Sequence, residues 1–174
     1  MDRPIGRDAT DALRELLDQR VVVLDGAWGT MLQGAKLAPE DYRGDRFTDH
    51  SHDVTGDPDL LNLTRPDVIL DVHRQYLDAG ADITTTNTFT ATSIGQADYG
   101  LQEYVREMNL EGVRLARQAA DEAGGRFVAG SIGPLNVTLR WRGHVARLAR
   151  EQVAWRGVDV WMPADDLEHV DGED

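Results

Sequence analysis

Cysteine does not occur anywhere in the 174 residues, and of the 18 basic residues only Lys36 is a lysine. Without cysteine there are no disulfides, and the thiolates that most often share a zinc ion with histidine are excluded too. The near-absence of lysine reads as a coding bias. Basic charge is scarce as a whole: 31 acidic residues leave a formal net charge of −13, so nucleic acid and anionic membrane surfaces are excluded as partners by repulsion. The chain has no run of about 18 apolar residues to span a bilayer. Its start, MDRPIGRDATDAL, lacks the apolar stretch of a secretory signal, and the expected location is the cytoplasm. A hydrophobic content of 41% with 28% charged residues suits a single globular domain with a proper core.

Hydrophobic periodicity sets out the elements. Asp8 or Thr10 can cap a first helix that carries Leu13, Leu16 and Leu17 on one face, ends near Gln19 and Arg20, and covers one end of the fold. Val21 to Leu24 is a short apolar run, the pattern of a strand buried on both faces of a parallel sheet. From Gly34 to about Asn62 the chain is polar and rich in turn formers, a functional or mobile excursion with no regular element assigned. Thr64-Arg65-Pro66-Asp67 then predicts a helix start with Thr64 as cap. Ile69, Val72, His73, Tyr76 and Leu77 share that helix's apolar face, and Gly80 ends it. A second strand is predicted over Asp82 to Asn87, a long helix over Gln102 to Glu122 with Met108, Val113, Leu115, Ala116, Ala119 and Ala120 on its apolar side, and a third strand over Phe127 to Ile132. Single helices between strands call for parallel crossovers and an α/β fold. After residue 139 the texture changes: three of the four tryptophans, Trp141, Trp155 and Trp161, fall there, with a candidate helix at His144 to Ala154 and a candidate fourth strand at Gly157 to Trp161.

In a parallel α/β sheet, each strand delivers the loop that follows it to the same rim, so binding groups gather at the carboxyl ends. Three polar clusters fall there: Asp25 to Thr30, Thr86 to Phe89, and Ser131 to Asn136. A carboxylate after the first strand suits an ammonium group, and the Gly-flanked turn beside it offers backbone N–H groups to a carboxylate. Together they suit an amino acid. Taken singly, Asp25-Gly26 is an ordinary turn and Asn87 an ordinary helix cap. Other candidates are weaker. His50, His52 and Asp53 have the chemistry of metal ligands but sit in a polar loop without a third partner at regular spacing. Gly26 to Gly29 lacks the third glycine and downstream acid of a dinucleotide fingerprint, and His73 on an apolar helix face reads as packing.

The ordered segments LDGAWGTMLQ, DYRGDRF, HDVTGDPDLLNLTRPDVI, AGADITTTNTF and VAGSIGPLN resemble the opening of the homocysteine-binding domain of cobalamin-dependent methionine synthases, over roughly Val21 to Thr138. The resemblance implies a (β/α)8 TIM barrel, of which this chain would supply the first three to four βα units. Homocysteine would sit at the carboxyl rim with its sulfur on zinc, and methylcobalamin on another module would be the methyl donor. A free thiol, with a pKa of roughly 8.5, is mostly protonated at neutral pH, and metal coordination supplies the thiolate. By carry-over, Asp25 engages the substrate amino group, Gly26 and Ala27 form the adjoining turn, and Asn87 is the polar residue next to the metal. Thr88, Phe89 and Gly133 are neighbouring wall.

The departures are as informative. The family's zinc is held by three cysteines in later strands, and this chain has none, so no metal ligand and no catalytic residue is assigned and no cofactor is expected to bind this chain alone. Thr85 stands where many members have a glutamate. The expected organisation is an N-terminal helix over 1–20, the first part of the barrel over 21–138, and a divergent tail over 139–174, either a fourth βα unit or an out-of-frame extension. The expected function is methyl transfer to homocysteine by family, with this chain a truncated, inactive fragment. Two alternatives stand beside it: a non-enzymatic subunit completed by another chain that carries the rest of the barrel or the cobalamin module, and a small α/β domain binding an anionic metabolite.

Overall fold

The computed structural model describes residues 9–133. The candidate elements at 144–154 and 157–161, the Pro134 to Asn136 part of the third polar cluster, and the 139–174 tail lie outside the described residues.

Helix α1 (Ala9–Gln19) forms where its leucine spacing predicts. It does not cover an end of the fold, however: none of its residues is buried, and Leu17 is 55% exposed. The stretch at 21–24 is extended and parallel to strand β1 (Ile83–Thr85), with Leu24 bridging Ile83 and the Asp25 amide donating to the Ile83 carbonyl at 3.0 Å. The expectation that it is buried on both faces fails, since Val21 is 84% exposed and Val23 and Leu24 about half. The reason is geometric. Among the described residues only three extended segments line up, and none lies on the outer side of this one. Strand β2 (Phe127–Ala129) pairs with β1 in parallel, Ile83 opposite Phe127 and Thr85 opposite Ala129. The parallel α/β arrangement is as the element order predicts.

The polar excursion is the larger correction. Helix α2 (Trp28–Gly34) runs up to its first residue, it contains helix α3 (Pro39–Arg43) and the start of α4 (Leu61–Thr64), and it supplies Phe47, Val54 and Leu60 to a core cluster shared with Ala91, Leu101 and Met108. Its apolar residues are too far apart in sequence to show a period, yet each finds the core. Polar groups hold it in place: the Arg43 guanidinium donates to the carbonyls of Phe47, His50 and His52 at 2.9–3.2 Å, and Arg65 pairs with Asp41 and Asp67.

Helix α5 (Pro66–Asp78) begins one residue later than a Thr64 cap requires. Arg65 occupies the cap position without a side-chain hydrogen bond there, while the Thr64 hydroxyl turns back to the Leu60 carbonyl at 3.4 Å. Proline at the first helical position and Asp67 in the first turn serve as expected. Helix α6 (Val105–Glu122) follows a single 3₁₀ turn at Gln102–Tyr104. Both long helices pack on the same side of the strands, where Leu32, Leu61, Ile69, Val72 and Leu115 form a second cluster and Ala116, Ala120 and Val128 a third. Gly112 lets α6 approach the carboxyl end of β1: a Cβ there would stand 2.7 Å from Thr88 Cγ2 and 3.0 Å from Asn62 Nδ2.

Candidate functional site at the carboxyl ends of the strands

Parallel pairing brings the first two polar clusters and the described part of the third, residues 131–133, to one rim, and Asp25 is the most heavily bonded residue there. The residue is buried, 7% exposed. Oδ2 accepts from the Thr84 hydroxyl at 2.8 Å, the Thr85 amide at 2.8 Å and the Trp28 indole N–H at 3.2 Å; Oδ1 accepts from the Thr85 hydroxyl at 2.9 Å. An ionised carboxylate offers roughly four acceptor positions, about two on each oxygen. Oδ2 is therefore saturated, while Oδ1 keeps an acceptor position for one more donor. Thr85 has a definite role here, since both its amide and its hydroxyl donate to Asp25.

The turn after Asp25 is shaped by Ala27, a non-glycine residue in the left-handed region at φ 48°. Its carbonyl accepts the amides of Thr30 and Met31 at 3.0 and 3.2 Å, which starts α2 and turns Trp28 back over Asp25. Gly26 has open space around the position of a Cβ, so close packing does not demand glycine there.

The second and third clusters are knitted to each other. The Ser131 amide donates to Thr86 Oγ1 at 2.9 Å, and the Thr88 hydroxyl donates to the Ser131 carbonyl at 3.0 Å. Because the Thr88 proton is spent on Ser131, the 2.7 Å contact between the two threonine hydroxyls has Thr86 as donor, which closes the ring of bonds. The Gly133 amide donates to the Phe89 carbonyl at 2.9 Å, and a Cβ on Gly133 would lie 2.4 Å from that oxygen, so glycine is required at this crossing. Phe89 itself is 51% exposed. Asn87 is tied differently: its Nδ2 donates to the Pro58 carbonyl at 2.7 Å and to Asn62 Oδ1 at 3.1 Å, and its own carbonyl accepts Asn62 Nδ2 at 2.7 Å. Asn87 is thus anchored by the excursion at 58–62, rather than capping a helix.

Sequence reasoning passed over two groups. His73, assigned to packing, is fully buried, but its Nδ1 lies 2.7 Å from Thr84 Oγ1 and its ring stands edge-on to Trp28 with centroids 4.6 Å apart. Burial lowers its pKa to about 4, so the ring is neutral at physiological pH. Asp57 and Asp59 are both fully buried. Asp59 Oδ2 accepts the amide and hydroxyl of Thr90, and Asp57 Oδ1 accepts the Asp59 amide and Gln96 Nε2. Burial raises Asp57 to about 6 and, with repulsion from Asp57 added, Asp59 to about 7. Alternating Asp57-Pro58-Asp59 in a polar segment gave no sign of burial.

His50, His52 and Asp53 are engaged locally. His50 Nε2 meets the Tyr99 carbonyl at 2.8 Å, His52 Nδ1 meets Ser51 Oγ at 3.1 Å, and Asp53 accepts the Thr55 amide at 3.0 Å. Among the described residues no group of three or more histidines, cysteines, aspartates or glutamates is placed to hold a metal ion. With no cysteine in the chain, the donor set present does not fit a thiolate zinc centre. A shallow cavity between α5 and α6, lined by Arg74, Leu77, Asp78, Ala119, Glu122 and Ala123, lies at the carboxyl ends of the helices, away from the rim. No described helix is long and apolar enough to cross a membrane.

Comparison with known proteins bears on the same segments. The family model described as "Homocysteine S-methyltransferase" matches residues 22–159. Crystal structures of the homocysteine methyltransferase MmuM from Escherichia coli are similar in three dimensions: the metallated form at 27% identity and TM-score 0.60, and the oxidized form at 26% and 0.63. Each match covers 82% of this chain, but only 52% and 51% of MmuM. The chain spans about half the length of the structures it resembles.

Proposed function

The chain belongs to the homocysteine S-methyltransferase family, and from that premise we propose that it carries the amino-acid-gripping part of a homocysteine site within the first βα units of a (β/α)8 barrel. The observation that carries this reading is the Asp25 carboxylate, fixed by four protein donors at the strand ends with an acceptor position left on Oδ1. That position takes the substrate ammonium. The Gly26-Ala27 turn lies on the carboxylate side of the ligand, while Asn87, Thr88, Phe89 and Gly133 form the wall beyond the second and third strands.

Activation of the thiol is a separate requirement. The chain has no cysteine, and among the described residues no group is placed to hold a metal ion, so no methyl-transfer step is derived from it, and the full reaction belongs to an assembly that adds a metal centre. The motif order resembles that of the cobalamin-dependent methionine synthases, and methylcobalamin is the donor proposed for that assembly.

The division of labour makes a distinctive binding prediction. If the grip is on the amino acid end, calorimetric titration of the whole chain should give similar affinities for L-homocysteine and L-homoserine, because the sulfur has no metal to meet. The deamino analogue 4-mercaptobutyrate should bind at least about tenfold more weakly, the loss expected for one charge-assisted hydrogen bond. Equal binding of 4-mercaptobutyrate and L-homocysteine would sink the proposal.

A further inference from the structure

The buried ring of His73 is joined to Asp25 by a chain of two hydrogen bonds whose direction can be worked out. Thr84 has one hydroxyl proton, and it is donated to Asp25 Oδ2, an acceptor, at 2.8 Å. The 2.7 Å contact between Thr84 Oγ1 and His73 Nδ1 therefore requires the ring nitrogen to be the donor. A neutral His73 then carries its proton on Nδ1 and none on Nε2, and Nε2 is buried without a protein partner. The Trp28 ring edge against His73 and the Trp28 N–H on Asp25 close the group from the other side. All of these contacts act on Oδ2 or on the residues that hold it, leaving Oδ1 with a single donor, the Thr85 hydroxyl.

We infer that His73 is a positioning residue for the ammonium-binding carboxylate: through Thr84 it fixes Asp25 so that Oδ1, rather than Oδ2, is presented to the substrate. This rests on the reading of Asp25 given above. The arrangement explains a polar ring on a helix face that otherwise packs aliphatic residues, where a leucine would satisfy burial at no hydrogen-bonding cost. Without the Nδ1 donor, the Thr84 hydroxyl can turn away from Asp25, Oδ2 loses one of its three donors, and the carboxylate is held less firmly.

The test uses the whole chain, L-homocysteine under reducing conditions and three variants. Nitrogen-15 NMR of the wild-type imidazole should show a protonated Nδ1 and an unprotonated Nε2 at neutral pH. His73→Phe keeps a ring in the cavity but removes the donor, and should weaken L-homocysteine binding by about tenfold and shift the Trp28 indole N–H resonance. His73→Asn, whose amide nitrogen can stand where Nδ1 stood, should recover most of the affinity despite packing less well. Wild-type affinity in His73→Phe, no recovery in His73→Asn beyond that of His73→Phe, or a proton on Nε2 would each overturn the inference. Asp25→Asn separates the two levels of the argument. If it abolishes binding while His73→Phe does not, Asp25 keeps its assignment and only the positioning role falls. If Asp25→Asn binds as the wild type does, or the wild-type chain does not bind L-homocysteine, both fall together.

Discussion

Two stretches of this protein exchange the environments their compositions suggest. Residues 21–24 are Val-Val-Val-Leu, yet Val21 is 84% exposed and Val23 and Leu24 are about half exposed. Residues 54–62 read VTGDPDLLN, yet Val54, Asp57, Asp59, Leu60, Leu61 and Asn62 are all buried. Burial is conferred by what surrounds a segment, and composition is only a bid for it. The polar stretch is buried because its apolar residues pack against helices α5 and α6 and because its side chains answer main-chain groups just beyond β1's carboxyl end. The apolar stretch lies at the margin of a three-segment sheet, and its outward edge and one face meet no other described element.

The largest effect should come from breaking the polar segment at Asn62. Its side chain is 1% exposed, donates to the carbonyls of Asn87 and Met108, and accepts from Asn87 Nδ2. Asn62→Leu keeps the branching at Cγ and adds apolar surface, so a purely hydrophobic account predicts stabilisation. The hydrogen-bond account predicts a loss of about 3 kcal/mol or failure to fold, because two buried carbonyls each lose a donor while the Asn87 amide is left with the Pro58 carbonyl alone. Urea unfolding decides between the two signs.

A second, smaller effect separates the two kinds of buried acid in the molecule. Asp82 is buried at the other end of β1 against Arg20, at 2.7 and 2.5 Å, and against Arg126 at 3.0 Å. These guanidiniums and the Val23 amide hold its pKa well below the usual range, so its contribution to stability is present above about pH 4 and is lost as pH falls further. Among the described residues no cation pairs with Asp57 or Asp59, and burial raises them to about 6 and about 7. For them the sign reverses. The folded state holds protons that the unfolded chain has released, so their contribution is complete below about pH 4 and is lost as pH rises through 6 to 7. Asp59→Asn removes the Asp59 share of that dependence. It should raise stability at pH 8 by about 2 kcal/mol and change it far less at pH 5. Parallel shifts at both pH values, followed by urea midpoints, would show that Asp59 is not protonated in the folded chain.

How much of this was legible beforehand depends on the kind of signal each segment carries. Helices α5 and α6 were readable because Ile69, Val72 and Leu77, and Met108, Leu115 and Ala119, repeat at helical spacing. The strand ends at Asp25, Asn87 and Gly133 were readable as one rim from topology alone, before any distance was known. The excursion was not, since Phe47, Val54 and Leu60 are spaced by turns rather than by a period. Nor was the link from His73 to Asp25: it joins α5 to the loop after residue 24 through Thr84, and a sequence registers no contact between residues so far apart. Thr85 was noticed only as a missing acid, whereas in three dimensions it is a pair of donors to Asp25.

The smallest expected effect lies in the apolar stretch. Val21→Thr exchanges a methyl for a hydroxyl on a side chain that is already mostly in water. In a strand buried on both faces, this change would cost about 1–3 kcal/mol through an unsatisfied hydroxyl. At 84% exposure it should cost less than about 0.5 kcal/mol, with threonine's β-branching keeping the extended backbone. The same substitution should also lower self-association, since Val21, Val23 and Leu24 line an open strand edge that can pair with another chain. Denaturation midpoints and light scattering on the wild type and the variant measure the two quantities separately. A penalty near 2 kcal/mol would mean that this edge is covered in solution.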